Sequence, residues 1–102
     1  MKEIKAILQP YKLDEVLFAL RTIDGLPAAT VSECRVATQH DDHFHETRKS
    51  KMEIIVEDDK VDAVVDVIRR AAHTGHAGDG RIFVIAVEHS FLIREAPEAE
   101  EA

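Results

Sequence analysis

The chain has 102 residues, the size of one small domain, and a domain of that length buries too little surface to be very stable alone, so association with further copies is expected. Twenty acidic against 13 basic side chains give a formal net charge of −7, which excludes a general nucleic-acid binder because phosphate repels an acidic surface. No apolar run approaches the roughly 20 residues that cross a bilayer, and no apolar signal segment follows Met1-Lys2-Glu3-Ile4-Lys5, so a cytoplasmic protein without membrane insertion is expected.

Lys2 to Gln9 reads as a strand bounded by Pro10, with Ile4, Ala6 and Leu8 on one face and Ile7 on the other. Leu13, Val16, Leu17, Leu20 and Ile23 then follow helical spacing, and Gly25 and Pro27 end that helix. Ala29 to Val36 is a second strand. It carries the single cysteine, Cys34, which can form no intrachain disulfide and reads as a small buried apolar residue. Ala37 to Ser50 lacks an apolar period and reads as an exposed loop. Lys51 to Glu57 is the third strand, and Asp58 or Asp59 is placed to cap the next helix, whose stripe is Val61, Val64, Val65 and Ile68. After a glycine-rich turn, Arg81 to Val87 is apolar on both faces, the pattern of a central strand. The order β-α-β-β-α-β is the α+β, ferredoxin-like arrangement. Two helices cover one face of such a sheet, which leaves a neighbouring subunit to cover the other. The domain is drawn at 1–94, with the acidic run 95–102 as a solvated tail.

The turn Thr74-Gly75-His76-Ala77-Gly78-Asp79-Gly80-Arg81 holds three glycines within six residues. Glycine tolerates positive φ and lets backbone N–H groups line an anion-binding concavity, and Arg81 adds a fixed positive charge. The pattern follows a helix instead of opening one, so it is neither a Walker loop nor a dinucleotide fingerprint. A plain helix-to-strand connection is the alternative reading of the same spacing.

Thr74, Gly78-Asp79-Gly80-Arg81-Ile82-Phe83-Val84 and Val87 resemble the C-terminal signature of the PII signalling family. Met1 to Val16, Thr30-Val31-Ser32-Glu33 and Glu53 to Asp59 resemble other segments of that family in the same order, covering residues 1 to about 94 apart from the centre. The resemblance implies a cytoplasmic homotrimer, with no enzymatic activity, that binds an adenine nucleotide (ADP, AMP or ATP) between subunits. Such a protein regulates a protein target such as a transporter or enzyme. It assigns Gly78, Asp79, Gly80 and Arg81 to the phosphate turn, with Thr74 and His76 beside them. Arg94 takes the place of one of two phosphate-binding arginines in the family's last strand.

Three departures alter that expectation. Leu92 stands where the other phosphate-binding arginine belongs. One lost charge-assisted contact costs about 1.5–3 kcal/mol, roughly tenfold to a hundredfold in affinity, which favours ADP or AMP over ATP. His76 replaces a lysine in the turn. The central segment is about ten residues short and lacks the family's modifiable tyrosine, the only tyrosine being Tyr11. Gln39 lies near the place of the glutamine that, in the family, chelates magnesium with the nucleotide. The short segment has instead Gln39-His40-Asp41-Asp42-His43-Phe44-His45-Glu46. Imidazole and carboxylate together suit a divalent transition metal, so a metal-binding adaptor using His40, His43 and His45, linked to heavy-metal handling, is the alternative function. A nucleophilic role for Cys34 lacks a partner at any recognisable spacing.

Overall fold

The alternation of Ile4, Ala6 and Leu8 buries one side of β1 (Lys2–Leu8), and Met52, Ile54 and Val56 do the same for β3 (His43–Val56). The structure, a computed structural model, describes residues 1–95; the tail reading for 95–102 therefore lies, beyond Glu95, outside the described residues. Antiparallel pairing gives a four-stranded sheet in the order β2-β3-β1-β4, with β2 at Thr30–His40 and β4 at Gly80–Ala86. The helices α1 (Leu13–Leu20) and α2 (Val61–Ala72) sit on one face, each preceded by a single 3₁₀ turn. This is the ferredoxin-like α+β fold. Among the described residues, no helix is long and apolar enough to cross a membrane.

Ile4, Leu8, Val16, Met52, Val64 and Ile68 are the largest fully buried side chains. Each contributes roughly 1.5–3 kcal/mol by leaving water. The helical stripes expected from the spacing are the buried ones: Val16 and Leu20 of α1 and Val64 and Ile68 of α2 are buried, with Leu13, Leu17, Ile23, Val61 and Val65 packed around them.

Four local expectations are corrected. Ala37 to Ser50 is not a loop. It belongs to a continuous hairpin in which β2 and β3 pair from Thr30↔Glu53 out to His40↔His43. Asp41 and Asp42 alone make the turn, and Asp41 adopts φ 55°, which an aspartate tolerates better than most residues. Diagonal pairs Arg35–Glu46 (3.3 Å) and Arg48–Glu33 (3.0 Å) brace one side. From Ala37 to Arg48 the arm is exposed on both faces, so no apolar period marks it.

The second correction concerns β4, which among the described residues is an edge strand paired with β1 alone. Its inner side meets the core through Ile82, while Phe83, Val84 and Ile85 remain exposed. Third, Asp58 does not cap α2. Its carboxylate accepts from the Met1 amine (2.6 Å) and from Lys2 Nζ (3.2 Å), tying β1 to the end of β3, and these partners lower its pKa. Fourth, Cys34 is half-buried on the open face of the sheet, opposite Lys49, and not in the core.

Candidate functional site

Because opposed residues in an antiparallel pair point the same way, the register fixes what the helix-free face displays. One row reads Arg81, Ile7, Lys51 and Ser32 across the four strands, and the next reads Phe83, Lys5, Glu53 and Thr30. Lys49 begins the row above, beside Cys34. Four cations, Lys5, Lys49, Lys51 and Arg81, thus meet two carboxylates, Glu3 and Glu53, on the open face of an acidic chain.

The glycine-rich turn closes over the corner of that face next to Arg81. Its Gly78 carbonyl accepts two hydrogen bonds, from Gln9 Nε2 at the end of β1 and from Lys49 Nζ in β3, both at 2.8 Å. Lys49 is only 9% exposed, so its stem is packed while its ammonium holds the turn. Gly80 starts β4 at φ 110° with its Cα against β1, opposite Leu8.

Within the turn, the Asp79 carboxylate accepts from the Thr74 N–H (2.7 Å), from the Gly75 N–H (2.9 Å) and from the Thr74 hydroxyl. The hydroxyl bond is the foremost cause that holds the Asp79 pKa down to about 2. That hydroxyl has one proton and gives it to Asp79. The contact between Thr74 Oγ1 and His76 Nδ1 (3.2 Å) therefore has Nδ1–H as donor, which leaves Nε2 free of that bond.

A carboxylate whose folded-state pKa is depressed stabilises the fold fully above its unfolded value, near 3.9. The contribution fades as pH falls and is gone below about 2. The amide resonances of Thr74 and Gly75 are expected to titrate with a midpoint near pH 2, and Asp79→Asn is expected to abolish that titration. A wild-type midpoint at an ordinary aspartate value would show that the bonds do not form.

Of the residues read from sequence as a ligand turn, the fold brings together Thr74, His76, Gly78, Asp79, Gly80 and Arg81. Asp79 is turned inward, organising the loop, while Arg81 is exposed on the open face. Arg94 is not brought to them by any hydrogen bond or ion pair among the described residues. It lies in an exposed turn, closed by a Glu95 N–H to Leu92 carbonyl bond of 3.1 Å, past the far end of β4, and 88–95 forms no strand. Gln39 faces Phe44 on the helix-bearing side of the hairpin, opposite to the side of Lys49. Lys49 and Gln9 are the residues that the sequence reading passed over. Carrying the alternation of Met52, Ile54 and Val56 back past Ser50 assigns Lys49 to the open face.

The three-ligand metal set also needs correction. His40, His43 and His45 do share a face of the hairpin, and the His40 and His45 ring centres are 5.9 Å apart. Yet no group of three His, Cys, Asp or Glu side chains converges among the described residues, because a straight ladder spaces alternate residues too widely.

The chain is 42% identical to the nitrogen regulatory protein P-II of Bradyrhizobium diazoefficiens, over 92% of each chain. It is 38% identical to that of Rhodospirillum rubrum and 42% identical to that of Microchaete diplosiphon, each over the whole of this chain and 99% of the relative. The family model described as nitrogen regulatory protein P-II matches residues 1–97. The chain belongs to the P-II family. The match to the Rhodospirillum P-II protein runs to 112 positions against 102 residues here, so about ten positions of that relative have no counterpart in this chain. A central segment reduced to a two-residue hairpin turn fits a P-II chain shortened by that amount.

Proposed function

We propose that this P-II family member is a regulatory homotrimer that binds an adenine nucleotide between subunits, ADP or AMP in preference to ATP. On this reading it signals to a protein target, a transporter or enzyme of nitrogen metabolism, from the cytoplasm, and it catalyses no reaction itself. The carrying observation is the corner where the glycine turn, pinned by Gln9 and Lys49, meets Arg81 and Lys51. In a chain of net charge −7, a basic corner with a backbone turn folded onto it suits a small anion.

Assembly is supported by what β4 leaves open. Its outer edge has no strand partner among the described residues, Phe83 and Ile85 lie exposed on the helix-free face, and Phe91, Leu92 and Ile93 follow, also exposed. On the helix-bearing side, a hollow of about 410 Å³ lies between α2 and β4, lined by Val65, Ile68, Ile82 and Val84. A second copy would cover these apolar surfaces and bring its own groups to the basic corner.

Isothermal titration of the full chain with AMP, ADP and ATP tests the reading. Binding of ADP or AMP is expected, weakened tenfold to a hundredfold by Arg81→Ala, the cost of one charge-assisted contact. No heat with any of the three at millimolar concentration would overturn it.

A further inference from the structure

We propose that His76 is a proton-dependent phosphate contact, so that the chain takes up a proton as it binds its nucleotide and binds more tightly as pH falls from 8.5 to 5.5. The inference rests on the nucleotide reading above and concerns how that site is regulated. It starts from three side chains linked in a row within the glycine turn. The Asp79 carboxylate accepts from the Thr74 hydroxyl, and Thr74 Oγ1 accepts from the His76 backbone N–H (3.3 Å) and from His76 Nδ1–H (3.2 Å). Asp79 is held in place by the N–H groups of Thr74 (2.7 Å) and Gly75 (2.9 Å). The row therefore runs one way and locks the neutral ring with its proton on Nδ1.

The consequence lies at Nε2. In the neutral ring that atom carries only a lone pair, which repels a phosphate oxygen. The other tautomer would offer an N–H there, but it would set an Nδ1 lone pair against Thr74 Oγ1, whose own proton is committed to Asp79. Protonation adds a donor and a positive charge at Nε2 and leaves the Nδ1 bond intact, so the ring holds one position in both states. Imidazole makes that change between about pH 8 and 5. Charged groups surround the ring from every element at the turn. Asp79 stands behind Thr74. His73, at the end of α2, comes within 3.9 Å of where a Gly75 Cβ would lie, and Arg69, one helical turn back, borders the same hollow as His73, Asp79 and Arg81. From β3, Lys49 Nζ holds the Gly78 carbonyl at 2.8 Å, while Gln9 of β1, bound to the same oxygen, is uncharged. A phosphate offsets the repulsion between these cations and an imidazolium, so proton and nucleotide each favour the binding of the other.

The test is calorimetric titration of the full chain with ADP at pH 5.5, 7.0 and 8.5, each in two buffers of different ionisation enthalpy so that proton uptake is counted. His76→Gln and His73→Gln are titrated alongside. Glutamine stays neutral throughout, and the nucleotide's own protonation acts on all three proteins alike. The affinity ratio of wild type to His76→Gln is expected to be at least fivefold larger at pH 5.5 than at pH 8.5, approaching the roughly tenfold worth of one charge-assisted contact. Wild type is expected to take up more protons than His76→Gln at pH 7.0, and His73→Gln to keep the pH dependence of wild type. A ratio that rises less than fivefold overturns this proposal alone, as does equal proton uptake by wild type and His76→Gln or loss of the pH dependence in His73→Gln. No heat from ADP with any of the three proteins at any pH overturns the nucleotide reading and this inference with it.

Discussion

Gly80→Ala is expected to remove about 3 kcal/mol or more of folding stability, combining roughly 1–3 kcal/mol of backbone strain with roughly 1–3 kcal/mol of overpacking. At φ 110°, Gly80 has a conformation that an L side chain rarely adopts, and a Cβ there would lie 1.8 Å from the Ile7 carbonyl oxygen and 2.8 Å from its carbon. Neither atom can move without breaking the β1–β4 ladder, which begins at Leu8↔Gly80. Small domains have only about 5–15 kcal/mol in total, so the urea midpoint should fall steeply while the slope stays constant. Gly25→Ala is the control. Its φ is 75° with nothing within 4 Å of the added carbon, so it carries the strain without the collision. Equal losses in the two variants would remove the close-approach argument.

Leu92→Arg is expected to strengthen ATP binding tenfold to a hundredfold while leaving AMP nearly unchanged. Leu92 is 52% exposed in a segment without regular structure, so a longer side chain there displaces no core contact. The proposed function takes this position, presented to the cleft by a neighbouring copy, as that of a phosphate-binding arginine, and on that reading one restored charge-assisted contact is worth about 1.5–3 kcal/mol. AMP lacks the outer phosphates that such a group reaches. Parallel titrations of the three nucleotides separate the outcomes. An equal gain for AMP and ATP would reduce the effect to general electrostatics, and no gain for ATP would place residue 92 away from the phosphates.

The fold was legible in the sequence because each buried face leaves a period: two for β1 and β3, 3.6 for α1 and α2. The hairpin arm was illegible for the same reason in reverse. With both faces in water, Ala37 to Arg48 has only its β-branched residues and alternating charges to show, and those did not distinguish strand from loop. The misplacement of β4 has a different origin. Apolar residues on both sides of a strand show that both sides need covering, but not whether the cover is this chain or another. At the site, Gly78 to Arg81 stood out through composition. Lys49 and Gln9 did not, since a lysine and a glutamine that hold one carbonyl from two other strands are recognisable only once the register is known. The inward turn of Asp79 was equally hidden, because a carboxylate beside glycines reads the same whether it serves the loop or a ligand.

The β2–β3 arm is braced backbone to backbone up to its two-residue turn. From Lys49 to His43 it projects roughly 20 Å at about 3.4 Å per residue. A floppy segment can remould itself around many surfaces, at an entropic cost each time. A laddered rod has met that cost in folding and presents one shape. Any protein that docks on the arm therefore meets a key already cut, which trades breadth of targets for fidelity to one. A change at its root, where Lys49 grips Gly78, would swing the whole rod, with His40, Phe44 and His45 carried at its end as a single body.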